Sequence, residues 1–200
     1  MKKTNYFIFI TMLITGLLYC LWLFTAYAQT GNERSARIDI SSENKFAFTK
    51  VKSNGVVTPD PTKGWIAHLD LRALEGKERG KWQEMWVEFT PEESGFTVIN
   101  IRGAYYNDLN VNRHEVWIDD VSIEGEGSEI KNGSFEQIDF QDSPIGWFWP
   151  VPSKDSYSTN GSQARTGRNC ILVWHDAPII QRIGVKAGNK YKVSAWFKTY

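Results

Sequence analysis

Cysteine is nearly absent from this chain, which has two, Cys20 and Cys170. Cys20 lies in an apolar N-terminal stretch, so Cys170 is left alone and no disulfide framework holds the fold. A nucleophilic thiol needs a base and an electropositive setting. The run Arg168-Asn169-Cys170-Ile171-Leu172-Val173 reads instead as a strand with a buried structural cysteine. Histidine is equally scarce, and His68, His114 and His175 are too scattered for a metal-ligand spacing. Net charge is zero, with 23 basic and 23 acidic side chains. Nucleic acid and anionic lipid are therefore not the partners that charge would select. There is no G-x-S-x-G, H-E-x-x-H, glycine-rich phosphate loop or Cys-x-x-Cys, so the common signatures of catalysis are missing. From Ser35 onward no amphipathic helical period appears either.

What is present begins with a leader. Lys2 and Lys3 precede an uncharged run from Tyr6 to Ala28 that ends Ala26-Tyr27-Ala28 before Gln29. A basic start, an apolar segment and a small-x-small site describe a signal peptide over residues 1–28. The same run is long enough to span a bilayer as an uncleaved anchor, and a membrane partner requires that alternative. Either way the remainder leaves the cytoplasm, to the medium, the cell surface or a periplasm. Losing the leader removes two lysines and no acid, leaving 21 basic against 23 acidic groups and a formal charge of −2.

Beyond the leader, strand-like segments recur between Gly, Asn, Pro and Asp punctuators. They are Arg37–Ile40, Lys45–Val51, Trp65–Leu71, Trp82–Phe89, Phe96–Ile101 and Glu115–Ile123, then Asp155–Ser158, Asn169–His175, Ile179–Val185 and Lys190–Phe197. The spacing predicts an all-β chain, a β-sandwich or jelly roll. An internal repeat divides it. Arg37-Ile38-Asp39-Ile40 aligns with Arg182-Ile183-Gly184-Val185, and Asn44 to Thr49 with Asn189 to Ser194, every position offset by 145 (Ile38 to Ile183). That period is too long for a solenoid and suits a whole sandwich module. Residues 35–127 then read as the C-terminal part of one module and 128–200 as the N-terminal part of a second. Two arrangements stay open: a fragment with both modules incomplete, or a permuted jelly roll in which the halves close on each other.

The boundary is Asn132 to Trp147, NGSFEQIDFQDSPIGW, which reads as an opening strand with Phe135 turned inward and Glu136 outward. Together with Gly146-Trp147, Ala164-x-x-Gly167, Ile171-Leu172-Val173 and Gly188-x-x-Tyr191-x-Val193-Ser194-Ala195-Trp196-x-Lys198 it resembles the front of a known module. Trp82-Gln83-Glu84, Val87-x-Phe89-x-Pro91 and Val116-Trp117-Ile118-Asp119-Asp120-Val121-x-Ile123 resemble its back. The family is that of the carbohydrate-binding modules of families four and nine, with the related family twenty-two. These are β-jelly rolls attached to secreted polysaccharide-degrading enzymes. The resemblance implies a secreted, non-catalytic module that binds a polysaccharide or oligosaccharide by aromatic stacking and hydrogen bonds. It also implies a structural Ca²⁺ held by Glu136 and Asp119 or Asp120, with Asn132 as a backbone-oxygen donor.

Asp119 and Asp120 do not read as a catalytic pair, because adjacent strand residues face opposite ways and cannot flank one glycosidic bond. Asn132-Gly133-Ser134 and Asn160-Gly161-Ser162 are formal glycosylation sequons that read better as turns. Nine Trp and eight Tyr are enough either to fill a core or to form binding platforms, and composition does not choose. Trp147 matches a family position that packs inside, while Trp82, Trp86 and Trp117 lie in apolar strands and read as core. Trp149 and Tyr157, in turn-rich sequence, are the foremost ligand candidates; Trp174 and His175 at a strand end, and Tyr105 and Tyr106 in the Gly103–Asn112 loop, follow. The competing reading is a structural or adhesive sandwich of a cell-surface protein with no sugar site.

Overall fold

A computed structural model describes residues 36–43, 46–55, 80–103, 115–140, 143–149, 157–158 and 162–199, with only the backbone at 157–158. Among them there is no helix, and nine strands form by alternation. They are β1 (Ala36–Ser42), β2 (Phe48–Ser53), β3 (Gln83–Pro91), β4 (Gly95–Gly103) and β5 (Val116–Glu124). The remaining four are β6 (Tyr157–Ser158), β7 (Cys170–Val173), β8 (Ile179–Val185) and β9 (Tyr191–Thr199). In β3, Met85, Val87 and Phe89 are buried while Glu84, Trp86 and Glu88 take the opposite face. In β9, Tyr191, Val193, Ala195 and Phe197 turn inward and Lys192, Ser194, Trp196 and Lys198 outward.

Two antiparallel sheets result. One has three strands in the order β1-β4-β8, the other six in the order β2-β3-β9-β5-β7-β6. Their facing surfaces share one core, in which Ile38, Ile40, Ile99, Ile101, Ile179 and Ile183 of the first sheet join Met85, Val87, Phe89, Ile118, Tyr191, Val193 and Phe197 of the second. Each such side chain contributes about 1.5–3 kcal/mol by leaving water. The architecture is a β-sandwich, and all described residues fall in one compact unit, Arg34–Tyr200.

The stretches 35–127 and 128–200 interleave in both sheets. Strand β8 pairs with β4, and β9 lies between β3 and β5. Here the 145-residue repeat acquires a spatial meaning. Its two copies are β1 followed by β2, and β8 followed by β9. Strands β1 and β8 flank β4 on its two edges, as β2 and β9 flank β3. The same sequence pattern therefore serves twice around the β3–β4 pair.

Asn132–Trp147 differs from the strand expected there. Its described residues, 132–140 and 143–147, form turns and loop with one bridge among them, Ile138 to Pro144. The backbone explains why: Asn132 and Phe135 both adopt left-handed φ, 50° and 59°, which breaks a strand. Asn132 organises the loop instead. Its side-chain amide donates to the carbonyls of Gln137 (2.7 Å) and Ile145 (3.0 Å), and its Oδ1 accepts the Gln137 N–H at 3.0 Å. Phe135 is fully buried, as expected, with its ring 5.5 Å from that of Trp147. Gly133 lets the loop dock on β5, since a Cβ there would lie 1.9 Å from the Val121 carbonyl oxygen.

Candidate functional site

A bulge in β5 shifts the register between Asp119 and Ser122, and Asp120 takes a left-handed φ of 46°. The bulge overrides strand alternation, so both carboxylates reach the same loop. Asp119 is completely buried; its Oδ1 accepts the Asp120 N–H (2.7 Å) and its Oδ2 those of Arg165 (2.8 Å) and Thr166 (3.2 Å). Asp120 accepts the Thr166 hydroxyl at 2.7 Å and Arg165 Nη1 at 2.6 Å. Glu136 Oε1 accepts the N–H groups of Arg168 and Asn169, both at 2.9 Å. Three acids therefore grip one loop, 165–169. Burial, assisted by the adjacent Asp120 charge, pushes the Asp119 carboxyl up to about 6, against the pull of its three backbone hydrogen bonds.

These are the residues to which the resemblance assigns calcium. Their types suit a hard cation, which takes six to eight oxygens. Their arrangement here does not assemble that shell. The carboxylate oxygens of Asp119 and Oε1 of Glu136 face N–H donors, a guanidinium shares Asp120, and the Asn132 carbonyl accepts Trp147 Nε1–H (3.0 Å) and the Phe135 N–H (3.1 Å). Among the described residues no three His, Cys, Asp or Glu side chains cluster as a metal site.

The same loop crosses the outer face of the six-stranded sheet, and that face carries tryptophan. Register places Trp117 opposite Lys198 and Leu172, with Trp82, next to Gln83, in line beyond Lys198. The next row holds Glu84, Trp196 and Asp119, and the next Trp86 and Ser194. Trp86, Trp196 and Trp117 thus form a diagonal, each step roughly 7–8 Å between backbones. Trp82, Trp86 and Trp196 are half-buried, whereas Trp117 packs with Cys170 and Leu172 in a small cluster separate from the main core. Each half-buried ring has a cation beside it. Arg165 lies 3.7 Å from the Trp196 centroid, Lys198 4.8 Å from Trp82 and Lys192 5.5 Å from Trp86.

Sequence alone placed Trp82, Trp86 and Trp117 in the core. Trp117 is buried, in the small second cluster against which Trp82 packs, whereas Trp82 and Trp86 are only half-buried and face away from the main core. The signal was present. Glu84-x-Trp86-x-Glu88 alternates against Met85, Val87 and Phe89, and a ring sharing a face with two glutamates is not in an apolar interior. The opposite correction applies to Trp149. Expected as an exposed platform, it is 7% exposed and belongs to the main core, so it has no open face for a ligand. Trp174 is also buried, at 6%. Its neighbour His175 sits with the other sheet: Nε2 lies 3.4 Å from Arg102 Nη1, and Nδ1 2.7 Å from Asp176. Arginine only donates, so Nε2 accepts and the network assigns the proton to Nδ1. Arg102 in turn pairs with buried Asp39 at 2.7 Å. The backbone of Tyr157 pairs with β7 opposite Ile171; its side chain, Tyr105, Tyr106 and the 1–28 leader lie outside the described residues.

No family model, no curated protein and no solved structure matches the chain.

Proposed function

We propose that the chain is a secreted, non-catalytic carbohydrate-binding module, accessory to a polysaccharide-degrading enzyme, whose sugar site is the outer face of the six-stranded sheet. The observation that carries this reading is the tryptophan diagonal. Trp86 and Trp196, the half-buried members of that diagonal, supply flat apolar faces for pyranose rings, and half-buried Glu84 beside them a hydrogen-bonding group for their hydroxyls, while buried Trp117 braces the row. The two sheets hold these rings in place, so binding requires little ordering of the protein. The test is affinity electrophoresis against a panel of soluble glycans, comparing wild type with Trp86→Ala and Trp196→Ala. Retardation by at least one glycan, weakened in both variants, is expected; no retardation by any glycan ends this reading.

A second reading, a structural or adhesive sandwich, is favoured by one observation: the guanidinium stacked on Trp196 already occupies a ring face. The same electrophoresis separates the two, because a structural face gives no retardation.

A further inference from the structure

Among the described residues, Lys198 is the one cation of the tryptophan face to be nearly buried, at 7% exposure. It occupies the middle of the row Trp82–Lys198–Trp117–Leu172, with an indole on either side. Among the described residues no carboxylate lies within ion-pair distance of it, whereas Lys190 and Lys192 have Glu88 and Glu124. Its Nζ donates to two oxygens of one residue, the Gln163 carbonyl at 2.7 Å and Gln163 Oε1 at 3.0 Å. An uncharged amide oxygen thus stands where a carboxylate oxygen would pair with the ammonium. Burial lowers the Lys198 pKa from its ordinary value, against the opposing influence of Cys170 and of the Asp119 carboxylate, which lies one row away and does not touch the ammonium. Gln163 is half-buried on the loop that leads to the acid-gripped segment, and only one of its two bonds to Lys198 is made by the side chain.

We infer that the ligand of this face is an acidic glycan, whose uronic-acid carboxylate replaces the Gln163 side chain at Lys198 while its ring lies against Trp82. This rests on the carbohydrate-binding reading and narrows it from sugars in general to carboxylated ones. The bonds from the Lys198 ammonium to Gln163 have one charged partner, and a carboxylate adds the second, with a Coulombic attraction that strengthens as the site is dehydrated. Replacing amide by carboxylate therefore gives the site its selectivity.

The test is calorimetric titration of the full chain with an oligogalacturonide and with the same oligomer after its carboxyl groups are reduced to alcohols. The acidic form is expected to bind about tenfold more tightly, with the preference weakening as salt is added. Lys198→Met is expected to abolish the preference while leaving the melting temperature near wild type, since it removes a charge from an apolar row. Gln163→Ala is expected to tighten binding of the acidic form only, by removing its competitor, and it decides the matter should Lys198→Met not fold. Equal affinity for the two forms, or a preference that survives both substitutions, overturns the acidic assignment and leaves sugar binding standing. Binding of neither form, nor of any neutral glycan, overturns the carbohydrate reading itself and this inference with it.

Discussion

Arg165 lays its guanidinium 3.7 Å from the centre of the Trp196 ring and at the same time bonds Asp120 Oδ2 at 2.6 Å. One side chain thus joins the acid-gripped loop to the tryptophan face. The backbone of that residue is held by Asp119 and its side chain covers the middle ring of the diagonal. Whatever stabilises the loop therefore also sets how much of Trp196 is open.

Removing the cover should expose the ring at little cost. A cation over an indole at a partly exposed site contributes about 0.5–1 kcal/mol, and an exposed ion pair about 0–1 kcal/mol. Arg165→Ala is therefore expected to lower stability by about 1 kcal/mol, read from urea unfolding. Binding of neutral oligosaccharides should tighten in the same variant, because a flat face is uncovered. Unchanged stability with weaker binding of every glycan would show instead that the guanidinium is itself part of the site.

Two glycines should differ sharply. A Cβ on Gly133 meets the Val121 carbonyl oxygen at 1.9 Å, and backbone cannot yield without breaking the Val121–Gly133 hydrogen bond. A Cβ on Gly167 meets Glu136 Oε1 at 2.4 Å, but that carboxylate ends a flexible, exposed side chain. Gly133→Ala is expected to cost about 3 kcal/mol or more. Gly167→Ala, at a left-handed φ of 60°, is expected to cost about 1 kcal/mol. Chemical denaturation of the two variants checks the order, and reversal would mean that the loop does not dock on β5.

Acidification should reveal Asp119. Its carboxyl ordinarily titrates near 3.8 and in the fold near 6, so between those values the folded chain holds a proton that the unfolded chain has released. Stability from this group is therefore fully present below about pH 4 and lost as pH rises through about 6. In urea midpoints measured from pH 4 to 7, wild type should show this downward component. Asp119→Asn, less stable overall because its amide cannot accept three N–H groups, should lack it. Parallel profiles would place the titrating group elsewhere.

Much of the sandwich is written in period two. The inward sets of β3, β4, β8 and β9 alternate so regularly that strand identity, core membership and the outward position of Trp86 all follow from spacing. The bulge at Asp119–Ser122 does not, because it depends on Asp120 entering left-handed space and on the docking of Gly133, a contact made across the fold. Trp149 misled for a related reason: proline-flanked, turn-rich sequence specifies an irregular backbone, while burial is decided by what that backbone packs against. The repeat showed that Arg37–Ile40 and Arg182–Val185 are equivalent, but only the structure shows them as opposite edges of β4. Local pattern carries the faces of strands; long-range pairing carries the site.

Calcium separates the hydrogen-bond network from what the resemblance implies. Every carboxylate of Asp119, Asp120 and Glu136 has donors from the chain itself. The loop should therefore stand without an ion, and the melting temperature should be the same in chelator as in millimolar calcium. An ion bound only by the folded chain stabilises in proportion to the logarithm of its concentration over its dissociation constant. A melting temperature that climbs steadily with added calcium would show that the cation displaces these donors, and that the loop has a second, ion-held arrangement.

The core tryptophans should behave unlike those of the outer face. Trp147 is 7% exposed, stacks obliquely on Phe135 and donates its Nε1–H to the Asn132 carbonyl, so it holds both ends of the Asn132–Trp147 loop together. Trp147→Ala removes a buried ring and leaves that carbonyl with one donor fewer, at an expected cost of about 3–5 kcal/mol. Trp86→Ala removes a half-buried ring whose neighbours, Glu84, Glu88 and Lys192, tolerate water, at an expected cost of about 1 kcal/mol. Glycan binding supplies the complementary readout. Trp147→Ala measured at a temperature where it remains folded should keep its affinity, because nothing of Trp147 reaches the outer face. Trp86→Ala should lose affinity with its stability nearly intact. Were the two losses interchanged, the ligand would lie against the Asn132–Trp147 loop and the tryptophan diagonal would be structural.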